Sequence, residues 1–170
     1  GISLYRPGPM DQIPRYIKNK KNPEHVEYTH KALEPILNVS YGCMIYQEQL
    51  LDIVRKFGGR SYGGADLFRK AIGKKNIELV KQESAKLYQE IIVNGYSEEL
   101  AQQISDDLST KGGYLFNKSH SYSYAVLCLQ TAYLKKHYTT YFFNALFNMN
   151  KNKPGMINKH ILDARQFGVE

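Results

Sequence analysis

Apolar residues along this chain recur at intervals of three and four far more often than they alternate, which predicts helices and few or no strands. Leu50, Leu51, Val54 and Phe57 share one face of a helix from about residue 44 to 57, stopped by Gly58-Gly59. Ser61 caps the next, which runs to Ile72 with Gly73 as its stop. From 76 to 94, Ile77, Val80, Leu87 and Ile91 form the stripe of the longest amphipathic helix, ended by a left-handed Gly95. Ser97 caps a helix to about Thr110, with Glu98 and Glu99 at the positive end of its dipole and Leu100, Ile104 and Leu108 toward the core.

Ser119 caps a helix from near His120 to His137, and its middle, Ala125 to Leu134, is apolar on nearly every side. That segment is expected at the buried centre of the fold, being about half the ~20 residues a membrane span needs. Shorter elements complete the pattern: a helix from 11 to 20, a turn near 33 to 37, a helix from 139 to 149 packing Tyr141, Phe142, Ala145 and Leu146, and a last helix from 156 to 167. Arg6-Pro7-Gly8-Pro9 is a stiff, non-helical opening loop. The expected class is mostly α, an irregular multi-helix domain.

Length and composition narrow this picture. At 170 residues and 42% apolar, the chain fits one domain with a core of its own. The linker-like Asn150 to Gly155 separates residues 1–150 from 151–170, and the end at Glu170, just past Gly168-Val169, reads as cut from something larger. The first residues lack a basic stretch followed by an apolar one, so a cytoplasmic protein without membrane attachment is expected. Cys43 and Cys128, far apart in sequence, read as reduced, buried small hydrophobes.

Net charge is +7, and its distribution says more than its sum. Residues 1–75 carry 13 Lys and Arg against 7 acids, 76–110 carry 2 against 7, and 111–153 carry 6 against none, so two basic regions flank an acidic one. Such segregation suits a polyanionic partner, nucleic acid or nucleotide, although charges also simply solvate helix faces. Between Lys111 and Leu162 there is no acid at all, so an arriving phosphate meets no local competition.

Two clusters stand out. Arg69, Lys70, Lys74 and Lys75 gather at one helix C-terminus. The dipole favours cations there by about 0.3–1 kcal/mol each without any ligand, yet Lys70 and Lys74 share a face, so capping and anion binding both remain open. The second is Tyr114 and the turn Asn117-Lys118-Ser119-His120, where a helix start offers N–H groups to a phosphate, Lys118 a point charge, and His120 a ring type that exchanges protons near neutral pH. Tyr114 can stack on a base, while Tyr122 and Tyr124 read as packing. Gly112 through Ser119 nearly matches a phosphate-binding P-loop, but Asn117 replaces its second glycine and no apolar strand precedes it, so that motif is rejected. Asp106 and Asp107, about 100° apart on a helix, cannot converge on one metal ion and read as solvated. No carboxylate pair is positioned for two metal ions and no activated serine or cysteine arrangement or HExxH pattern is present, so the chain binds better than it reacts.

In order, SLYRPGPM, LEPIL with YGCMIYQEQ, GGADLFRKAIGKK and GYLFNKSHSYSYAVLCLQTAYLKKHY resemble the fingers region of bacterial C-family replicative DNA polymerases over residues 2 to about 150. Asn158 to Val169 resembles the opening helix of the region that follows. The resemblance implies part of a larger polymerase whose palm supplies the catalytic aspartates and Mg²⁺, this chain alone being inactive and holding no metal. It implies that Arg69, Lys70, Tyr114, Asn117, Lys118, Ser119 and His120 face the incoming deoxynucleoside triphosphate (dNTP), with Lys74 and Lys75 as further phosphate contacts. His120 would be a general acid toward departing pyrophosphate. Implied partners are dNTP, primer-template DNA, the palm and other domains of the polymerase, and replisome subunits. Lys70 stands where a second arginine is usual, trading a bidentate fork for a point charge, and Leu115 replaces a usual glycine. The alternatives are a helical nucleic-acid or replisome interaction module with no part in nucleotide selection, and a free-standing P-loop NTPase.

Overall fold

A computed structural model describes residues 1–6, 9–74 and 77–169, with the backbone alone for Ile77. The expectations for Pro7, Gly8 and Lys75 and for the Ile77 side chain lie outside the described residues. Nine α-helices appear among those residues: α1 Ile13–Lys21, α2 Glu34–Leu37, α3 Gln47–Gly58, α4 Tyr62–Gly73, α5 Ile77–Val93, α6 Glu98–Lys111, α7 Lys118–His137, α8 Thr139–Asn150 and α9 Pro154–Gln166. No strand forms among them, and the sole extended pairing there is an isolated parallel bridge between Tyr46 and Phe116. The all-α class follows.

Local signals account for most helix ends. Ser61 Oγ accepts from the Gly64 amide at 3.2 Å and Ser97 Oγ from the Leu100 amide at 3.3 Å, each satisfying an otherwise orphaned donor. Gly59 at φ 68° and Gly95 at φ 85° stop α3 and α5 in the left-handed region. Gly73 ends α4 without that geometry, since the residue capping it, Lys74, stays right-handed. α7 begins at Lys118, two residues before the expected start. Its cap is Asn117, not Ser119: Asn117 Oδ1 accepts from the His120 amide at 2.9 Å.

The chain divides into two compact units, Gly1–Ser121 and Tyr122–Glu170. In the first, α3 packs against α4 and α5, and α5 against α6. Leu50, Val54, Phe57, Leu87, Ile91, Leu100, Ile104 and Leu108 form its core, as the stripes predict, together with Phe68 of α4. A smaller cluster of Leu4, Cys43 and Ile45 buries the N-terminal segment.

Two polar networks stiffen this unit. Gln49, buried at the start of α3, accepts from the Ile45 and Tyr46 amides at 2.9 Å each and donates to Ile36 O and Ser40 Oγ, so both ends of its amide are satisfied. Arg60, between α3 and α4, reaches α5 and meets Glu83 and Glu90 at 2.7 Å each, its guanidinium 5.4 Å from the Phe68 ring centroid.

The second unit packs α8 on α9 around Phe143 and Ala164. Lys135 joins Asp163 at 2.7 Å and lies 4.3 Å from the Phe167 ring centroid. Three expectations need correction here. Tyr141 is 78% exposed and Ala145 is exposed, because Phe143 takes the inward position on α8. The apolar middle of α7 contributes no buried residue, with Leu129 72% and Leu127 53% exposed. Cys128 is exposed too, while Cys43 is buried. So small a unit has too little volume to enclose a helix that is apolar all round. None of the described helices is long and apolar enough to cross a membrane.

Candidate functional site

The segment linking α6 to α7 carries Tyr114, Asn117, Lys118, Ser119 and His120 past the end of α4. Gly112 lies so close to α4 that an added Cβ would sit 3.1 Å from two Ile72 side-chain carbons and 3.3 Å from Leu50. A side chain at this position would make Ile72 and Leu50 give way by a few tenths of an ångström, so glycine favours the close approach. Tyr114 follows, 43% exposed, above a depression lined by Ile72, Val80, Lys81, Thr110 and Gly113. Phe116 then forms the bridge: its amide donates to Ile45 O and its carbonyl accepts from the Gln47 amide, both at 2.9 Å. From Gly113, against α4, to Lys118, at the start of α7, the chain advances five residues and so spans at most about 18 Å.

The start of α7 already holds an anion. Both carboxylate oxygens of Glu48, in the first turn of α3, accept from the Lys118 amide at 3.0 and 3.1 Å. The stretch without acids along the sequence is thus supplied with one from 70 residues away. With Asn117 taking the His120 amide and its backbone carbonyl the Ser121 amide, the first turn is capped from within the molecule. Asn117 Oδ1 also accepts from Ser119 Oγ. Any phosphate contact here therefore falls chiefly to side chains.

The cations divide between two surfaces. Arg69 and Lys70 both bond Asp66 at 2.8 Å, and these partners hold its carboxyl below the usual range, Lys70 contributing most and then Arg69. Lys70 and Lys74 line a groove with Leu79 and Glu83. Lys118 lines a separate cleft of about 400 Å³ with Glu48, Asp52, Arg55 and Lys56. The structure brings Tyr114 to the end of α4, but Lys70 and Lys118 line different surfaces.

Sequence reasoning missed Glu48, whose place beside α7 has no local signal, and Arg6, whose guanidinium carbon lies 5.1 Å from the Phe116 ring centroid. Asp106 accepts from Gln102 at 3.0 Å and Asp107 pairs with Lys111. Among the described residues no three His, Cys, Asp or Glu side chains gather as metal ligands.

The family described as the bacterial DNA polymerase III alpha subunit finger domain matches residues 1–110. The chain is 40% identical to the DNA polymerase III subunit alpha of Halalkalibacterium halodurans, over 98% of its own length and 15% of that protein's. It is 39% identical to the Thermus aquaticus subunit over 99% of this chain and 14% of the relative, and 43% identical to that of Staphylococcus epidermidis over 86% and 14%. It thus spans about one seventh of these curated relatives. The matched residues cover most of the chain, and it belongs to the finger-domain family of the bacterial DNA polymerase III alpha subunit.

Proposed function

We propose that this chain is the part of a DNA-directed DNA polymerase that receives the triphosphate of an incoming dNTP and positions it for template-directed synthesis. The observation that carries this reading is the short link from Gly112 to Asn117, which leans on the C-terminal end of α4 and leads into α7 within at most about 18 Å. This link supports a ligand shared between the end of α4 and the start of α7. Residues 1–150 would form the fingers, and 151–170 a linker with the first helix of the following region.

In the reaction, the primer 3′-hydroxyl gives up its proton to solvent, its oxygen attacks the α-phosphate, and a phosphodiester forms as the bond between the α and β phosphates breaks and pyrophosphate leaves. The residues of this chain act by position and charge. Arg69 and Lys70 turn from Asp66 toward the β and γ phosphates, with Lys74 and Lys75 as outer contacts. Lys118 meets the triphosphate through its ammonium, Asn117 and Ser119 through their polar side chains, and Tyr114 packs near sugar or base. His120 gives its proton to the departing pyrophosphate. The Mg²⁺ of the polymerase would be held by ligands outside this chain. Primer-template DNA, the palm and other domains of the polymerase, and replisome subunits would be the partners, in the cytoplasm.

Primer extension by the polymerase containing this chain provides the test. Arg69→Ala and Lys70→Ala are expected to raise the nucleotide KM about tenfold or more with little change in DNA affinity, since each removes a charged hydrogen bond. His120→Gln is expected to lower kcat and alter the pH profile. If Arg69→Ala leaves KM and kcat untouched and weakens DNA binding uniformly, the chain is a nucleic-acid interaction module instead.

A further inference from the structure

The arginines of the first unit are nearly all committed. Arg55 pairs with Asp52, Arg60 with Glu83 and Glu90, and Arg69 with Asp66, while Arg15 donates to the Glu27 carbonyl. Arg6 makes neither kind of contact: among the described residues no carboxylate lies within 4.0 Å of it and its guanidinium donates no hydrogen bond. Its guanidinium carbon instead lies over Phe116, 5.1 Å from the ring centroid, and that centroid is 5.4 Å from that of His120. The placement is well braced. Leu4 is buried with Ile45, the Ile45 carbonyl holds the Phe116 amide, and Ser3 Oγ meets Ser121 Oγ at 3.3 Å on the first turn of α7.

A guanidinium held over a ring by cation–π attraction, with no partner on its N–H groups among the described residues, keeps those donors for a bidentate contact. The backbone donors of Lys118 and His120 are already satisfied by Glu48 and Asn117, so anion binding here needs a side-chain fork. We propose that Arg6 is a phosphate-binding residue of the candidate site, gripping the polyphosphate tail of the nucleotide beside His120 from its platform on Phe116. This rests on the triphosphate reading above and adds to it an arginine from the N-terminal segment.

The test compares Arg6→Ala, Arg6→Gln and Arg6→Lys with wild type in the polymerase containing this chain, reading nucleotide KM, kcat, primer-template affinity and melting temperature. Arg6→Ala and Arg6→Gln are expected to raise KM on the order of tenfold with DNA affinity unchanged, and Arg6→Lys to recover part of the loss. An unchanged KM in Arg6→Gln overturns the proposal. So does a parallel loss of DNA affinity, which would assign Arg6 to a phosphodiester of the DNA. If Arg6→Ala fails to fold, Arg6→Gln decides by the same criterion. Arg69→Ala serves as the control: a KM rise there with none in Arg6→Gln refutes this inference alone, whereas no rise in either refutes the triphosphate reading as well.

Discussion

Arg60 shows how much one residue carries. Its side chain is 13% exposed, and its two carboxylate partners come from α5, 23 and 30 residues away. Arg60→Met would keep the stem over Phe68 but leave half-buried Glu90 without its cation and Glu83 with Lys86 alone, costing about 2 kcal/mol in urea unfolding at pH 7. Glu83 also has a pH signature. Hydrogen bonds from Lys86 first and then Arg60 hold its carboxyl below the usual range against the opposing effect of burial. A depressed carboxyl stabilises the fold fully above the ordinary Glu value near pH 4.3, and that stabilisation disappears as pH falls through the lowered value. Arg60→Met should therefore lose stability less steeply in acid than wild type, keeping the part due to Lys86. An acid limb as steep as wild type's would exclude the network as its source.

Helices α3 and α7 start side by side because the bridge at Tyr46 and Phe116 aligns them, and Glu48 completes the junction by capping α7 from α3. A carboxylate at a helix N-terminus is favoured both by the dipole and by the orphaned amide. Glu48→Ala should cost about 1 kcal/mol and speed hydrogen exchange at Lys118, while Glu48→Gln, which keeps an acceptor oxygen, should change exchange far less. Unaltered exchange at Lys118 in Glu48→Ala would show that the contact does not hold the helix start.

For the molecule as a whole, the two units have separate cores, one around Leu50, Phe57 and Leu87 and the other around Phe143. Phe143→Ala should remove about 3–5 kcal/mol from the second unit. Hydrogen exchange would then accelerate across α8 and α9 while amides around Leu50, Phe57 and Leu87 keep wild-type protection. Uniform acceleration would reveal one cooperative unit instead. The same division explains why the apolar middle of α7 lies exposed: its composition marks it for burial, yet the unit containing most of it has little core with which to bury it.

The sequence by itself determined the helical class, the helices within a few residues, the Ser61 and Ser97 caps, the left-handed stops at Gly59 and Gly95, and the core faces of α3, α5 and α6. These features depend on interactions within one or two turns, which a local pattern records. It also carried the motifs of the finger-domain family. The register of α8, the exposure of α7 and Cys128, the capping of α7 by Asn117 and Glu48, and the placement of Arg6 over Phe116 were decided only by tertiary structure. Except for Asn117, a local cap overlooked in favour of Ser119, each depends on which distant or competing side chain arrives at a given place. Packing between elements settles that, and the spacing of residues along one element does not encode it.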